Sequence, residues 1–509
     1  MSSLEDEATK QGDSLRDKGD FDGAIAAYTE GIRRNPENAQ PYSSRGQAYL
    51  RKGEFDKAIA DCNKAIQLDP MMAEAYCCRC DSHSRNGDFD KAVADCTEAI
   101  RLDPQRAEAY CTEAIRLDPH RAEAYYARGM VYGQNGDFER AIADCTDAIR
   151  LDPKLAAAYC GRGAAYWNKG DYDKAIADCT DAIRLDPKLA RAHYNRGIAY
   201  AEKGDHDKAI ADYTDAIRLD PQLARAYCDR GLTYRDKGDY DKAIADCTDA
   251  IRLDPKYATA YYSRGAAYRN KGDYDKAIAD CTEAIRLDPK LATAYCYRGL
   301  AYWNKGVYDK AIADCTDAIR LDPKPVEAYS NRGGAYAEKG DYDKAIADFT
   351  DAIRLDPQLA ALYSNRGGAY TKKGDYDKAI ADYTDAIRLD PKYYYNRGIV
   401  CAEKGDFDKA IADCTEAVRL NPKDAEAYYN RGCSYGKQGD HDKAITDYTA
   451  AIQINPKAGY TFYARGYSYH QKGDKAKANA DFAQAKKLGY KAKSRMSCAL
   501  HSLMWWRNR

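Results

Sequence analysis

No stretch of this chain is long and apolar enough to cross a bilayer, and Met1 to Lys18 is polar and acidic rather than signal-like. Both absences lead us to expect a soluble, cytoplasmic protein. Net charge is also nearly missing: 79 basic and 80 acidic side chains leave −1 over 509 residues. That balance argues against chain-wide attraction to nucleic acid or to an anionic membrane. The sequence has no phosphate-binding Gly loop, no HExxH and no nucleophile elbow, so neither catalysis nor a cofactor is expected. Cysteine is not scarce, with 18 residues. Most of them fall at two recurring positions and no export signal accompanies them, so reduced thiols are expected.

What the chain does have is one sentence written many times. The stretch Ala258 to Leu291, ATAYYSRGAAYRNKGDYDKAIADCTEAIRLDPKL, recurs with a 34-residue period. Small or aromatic residues at Tyr261, Gly265 and Tyr268, then at Ala277, Ile278, Cys281, Ala284 and Ile285, mark two amphipathic helices. Gly272 suits a left-handed residue ending the first helix, and Asp273 can cap the second. Such a hairpin is too small to bury its own apolar faces. It must stack on copies of itself.

These residues resemble the tetratricopeptide repeat (TPR) family, through Tyr261, Gly265, Tyr268, Ala277, Ala284 and Pro289. The match recurs from about Glu5 to Tyr490, with Arg264 and Cys281 as departures, an Arg-Gly variant of the repeat. The resemblance implies an all-α fold, a right-handed superhelical solenoid of stacked helical hairpins.

Two irregularities interrupt the period. CTEAIRLDPQRAEAY (Cys96 to Tyr110) is followed at once by CTEAIRLDPHRAEAY (Cys111 to Tyr125), so Ala107 to Leu117 should form an extra helix with no hairpin partner. The expected organisation is therefore a three-repeat arm (1–104), the extra helix (105–121) with a break near Pro104 to His120, and an eleven-repeat array (122–490). Near Pro391 to Tyr394 three residues are missing, and that first helix should start late. Val307 replaces a capping carboxylate. The basic segment Lys491 to Arg509 reads as a helix capping the last repeat, with weak membrane contact as the alternative.

Used as their own alignment, the repeats pair Arg264 with Asp280. Both lie eight residues from Gly272, and both are replaced together in the first hairpin, by Gln11 and Ala27. An ion pair is expected in each hairpin, such as Arg128 with Asp144 or Arg196 with Asp212. The Cys281 position accepts Cys, Tyr213 or Phe349, so it is a packing site. Cys77, Cys80 and His83 could approach a metal, but they do not make a closed set and no metal is assigned. His206 and His441 replace an aromatic and should pack or cap.

A second stripe on each first helix runs through Thr259, Tyr262, Ala266 and Arg269. The resemblance implies that this inner surface is a groove for extended or helical peptides. Tyr126, Trp167, Arg191, Tyr194, Arg225, Arg235, Tyr262, Arg269 and Trp303 are the candidate contacts, because Tyr, Trp and Arg anchor interfaces. Some family members clamp a chaperone C-terminal carboxylate with Lys and Asn at the places where this chain has Tyr126, Cys160, Tyr194, Cys228 and Tyr262, then Met130, Ala164, Ile198, Leu232 and Ala266. That clamp is absent. The expected function is a non-enzymatic scaffold for a protein or peptide, acidic or phosphorylated. The alternatives are a recruiting arm for a separate glycosyltransferase or phosphatase, or a self-assembling repeat protein.

Overall fold

The computed structural model describes residues 2–322 and 326–490. The expected tail helix, 491–509, lies outside them. Among the described residues the chain forms 29 α-helices and a short 3-10 turn, and no strand. It falls into two compact units, Met1–Asp254 and Pro255–Arg509. Each is a stack of antiparallel helical hairpins, in which a second helix also packs on the first helix of the next hairpin.

The hairpin Ala258–Asn270 and Tyr274–Leu287 shows why the pattern folds this way. Gly272 takes φ +84°, a conformation costly for any residue with a Cβ. Around it the Asp273 N–H donates to the Tyr268 carbonyl and closes the helix end. Asp273 then accepts from the Lys276 N–H at 3.3 Å and caps the second helix. Val307 supplies no such bond. Further along, a Cβ on Gly265 would stand 2.9 Å from Cys281 Sγ and 3.1 Å from the Ala277 carbonyl oxygen. Glycine there lets the two helices touch, and burial of Cys281 pushes its thiol up to about 12.

Every expected Arg–Asp pair is present and doubly hydrogen-bonded, from Arg45 with Asp61 at 2.7 Å to Arg465 with Asp481 at 2.8–2.9 Å. Burial lifts the Asp348 and Asp382 carboxyls above the usual carboxylate range despite Arg332 and Arg366, so part of each attraction offsets desolvation. The third guanidinium nitrogen has a task that the sequence reading missed. In most hairpins it donates to a threonine 16 residues earlier, on the preceding hairpin, as Arg162 does to Thr146 and Arg332 to Thr316, both at 3.1 Å, while Arg79 donates to Asn63.

Two expectations need correction. The extra helix is Pro104–Leu117 rather than Ala107–Leu117, because proline is favoured at the first helical position, where its missing N–H is no loss. Ala107 is buried with Cys77, Ala99 and Val131, so the extra helix packs between its neighbours within the first unit. Finally, Cys80 and Cys96 form a disulfide instead of remaining reduced. Cys80 stands at the Gly265 position and Cys96 at the Cys281 position, the two places where adjacent helices come closest. The late start near Pro391 is observed, as a 3-10 turn Pro391–Tyr393 followed by an 11-residue helix, Tyr394–Lys404.

Candidate functional site

In the second unit, five successive first helices line one groove of about 300 Å³. Arg269 enters from Ala258–Asn270, Leu300 and Trp303 from Ala292–Asn304, and Ser330, Asn331 and Gly334 from Val326–Lys339. Ser364, Asn365, Thr371 and Lys372 follow from Ala360–Lys373, then Tyr395, Asn396 and Ile399 from Tyr394–Lys404. The 34-residue period places equivalent side chains in columns, so Asn331 and Asn365 are successive rungs. Asn396 keeps the column because the shortened hairpin loses its residues before the helix begins. A Cβ on Gly334 would stand 3.2 Å from the Trp303 ring, so glycine makes room for the indole.

The groove combines amides, hydroxyls and aromatics with charge of one sign. Its charged lining residues are Arg269 and Lys372. Nearby Glu403 is lifted above the ordinary carboxylate range by burial, with Lys372 pulling the other way. Asn331 donates to Cys296 Sγ at 3.5 Å, and the Tyr383 hydroxyl is hydrogen-bonded to Asn396 and Thr371. Nothing in this set is arranged as a nucleophile with a base.

The candidate contacts named from the sequence do not all meet here. Arg269 and Trp303 line the groove. Tyr262, in the same unit, stacks on Tyr297 with ring centroids 5.8 Å apart. The rest belong to the first unit. Arg191 and Arg225 are exposed, while Arg235 is half-buried against Asp236. Tyr194 donates to Asp229 at 2.7 Å, and burial raises that carboxyl. Trp167 is half-buried, with its indole N–H shielded and without a hydrogen-bond partner. Tyr126, expected on the groove, is instead buried with Cys145, Ala148 and Ala158, since its neighbours on the next hairpin are small. The sequence reading missed Asn331, Asn365, Asn396 and Lys372. A signal was available: the column one residue after Tyr262 holds four successive asparagines, Asn331, Asn365, Asn396 and Asn430.

Comparison with known families agrees with the hairpin geometry. Models described as tetratricopeptide repeat match residues 9–73, 157–224 and 228–292, residues 73–106, and residues 122–155, 292–325, 360–393, 391–424 and 425–458. A model described as TPR repeat matches 333–374. The chain belongs to the tetratricopeptide repeat family. No curated protein matches this TPR chain. Among solved structures, it is similar to the APC/C hetero-tetramer Cut9-Hcn1 at 16% identity, covering 92% of this chain and 97% of that one, with a TM-score of 0.47. MamA is 31% identical over 32% of this chain and 96% of its own, with a TM-score of 0.30. YrrB, described as a TPR protein with an unusual peptide-binding site, is 26% identical over 36% of this chain and 95% of its own, at 0.31. The assignment rests on the repeat models and not on these low TM-scores. Among the described residues no helix is long and apolar enough to cross a membrane.

Proposed function

We propose that this TPR array is a non-enzymatic scaffold that holds an extended acidic or phosphorylated peptide in the groove of the second unit. The observation that carries the reading is the pairing, along one groove, of a cationic set (Arg269 and Lys372) with an asparagine column (Asn331, Asn365 and Asn396). A carboxamide offers a donor and an acceptor side by side, as a peptide group does, so a column of them suits an extended main chain. Arg269 suits a carboxylate or phosphate, and Trp303 provides an aromatic anchor. Exposed Arg191 and Arg225 give the first unit the same anion chemistry.

Fluorescence polarisation with labelled Asp/Glu-rich, phosphoserine and Lys-rich peptides tests this. The acidic and phosphorylated probes should bind and the Lys-rich probe should not. Arg269→Ala with Lys372→Ala should weaken binding by about tenfold or more, equivalent to ~1.4 kcal/mol. Unchanged binding by that variant, with its helical content intact, would place the peptide elsewhere. Unchanged binding by Asn331→Ala with Asn365→Ala would remove the main-chain role of the column.

A further inference from the structure

Thirteen hairpins carry the Arg–Asp pair, and in twelve of them the residue three before the arginine is Tyr or Phe. Each of those rings lies beneath its arginine, at 5.4–6.0 Å from guanidinium carbon to ring centroid. The exception is His193. It is 7% exposed, and both of its ring nitrogens are buried without a hydrogen-bond partner. A buried imidazole with neither nitrogen satisfied is rare in a folded protein and asks for an explanation.

The ring points at two carboxylates one helical turn apart on His206–Leu219. His193 Nδ1 lies 3.7 Å from Asp212 Oδ1 and 4.0 Å from Asp215 Oδ2, and one ligand atom from each residue falls within 4.8 Å of the others. From these positions we infer that His193, Asp212 and Asp215 form a binding site for a divalent transition-metal ion of the zinc type. The donor set decides the class: one imidazole with two carboxylates suits zinc and its neighbours, whereas calcium and magnesium take oxygen alone. At zinc–ligand distances of ~2.1 Å, tetrahedral neighbours stand ~3.4 Å apart, so closure needs only small side-chain movements. Arg196 holds both oxygens of Asp212 at 2.8 Å and Arg218 holds Oδ1 of Asp215 at 3.1 Å, which leaves Asp215 Oδ2 and a second lone pair on each Asp212 oxygen for an ion. Asp215 is 45% exposed on its side chain, which gives an entry path and room for a water ligand.

The test titrates zinc into the metal-stripped full-length protein by calorimetry, and repeats it with cobalt to read the ligand set from absorption. His193→Tyr is the deciding variant, because it restores the residue found in the neighbouring hairpins and should fold as they do. Wild type should bind one ion per chain with a thermal shift, and cobalt should show no thiolate charge-transfer band. His193→Tyr should lose this binding by about tenfold or more while keeping its metal-free melting curve, and Asp215→Asn should weaken it by a similar factor. Equal zinc binding by wild type and His193→Tyr, or a thiolate band with cobalt, would overturn the assignment in favour of cysteine or surface sites.

Discussion

Arg298 shows how much one side chain integrates. Its guanidinium grips both oxygens of Asp314 at 2.8 Å, donates to Thr282 of the previous hairpin at 3.1 Å, and lies over the Tyr295 ring at 5.6 Å. A lysine could supply the charge but not the fork, since an ammonium cannot meet a planar carboxylate and a separate hydroxyl in this geometry. We expect Arg298→Ala to cost about 3 kcal/mol, because Asp314 is left charged and unpaired in a poorly hydrated site. Arg298→Lys should recover less than half of that. Hydrogen exchange of Ala292–Leu321 checks both, and a lysine variant as protected as wild type would show that charge alone suffices. Half of this node was legible in the sequence, because Arg and Asp vanish together in the first hairpin. The threonine was not, since its partner lies on a different hairpin.

Helices and their ends were the most readable level. The period, the glycine turns and the capping Asp all follow from residue type at fixed offsets, and the structure places them where those offsets require. Val307→Asp should therefore stabilise the helix Tyr308–Leu321 by about 1 kcal/mol, seen as slower exchange of its first-turn amides. No slowing would mean that the Val307 side chain already compensates. What failed was reading along a helix where the chemistry runs across a hairpin. Cys77, Cys80 and His83 were judged as neighbours on one helix, yet Cys80 meets Cys96, 16 residues away. The spacing is the one that joins Arg79 to Asp95 on the same pair of helices. His193 escaped notice for a related reason: it looks ordinary on its own helix and is odd only against its column of tyrosines.

Across the whole molecule, the two departures from the period show what the array can tolerate. The tandem copy brings its own threonine, so Arg128 still meets Thr112, 16 residues earlier. At the shortened hairpin Arg397 reaches Thr384 across only 13 residues, and the same bond forms at 2.9 Å. These junctions inside a unit are thus closed by local geometry, independent of how many precede them. Removing one period, residues 156–189, would present Thr146 to Arg196, a partner that Arg162 holds in the intact chain. We expect that shortened protein to be folded, with helical content reduced in proportion to its length by circular dichroism, and monodisperse by size exclusion. Aggregation or loss of helicity beyond that share would show that the hairpins are not interchangeable. A gene that encodes such seams can lose or gain whole repeats by slipped copying without passing through an unfoldable product, so the number of rungs is free to drift while the rung itself is preserved.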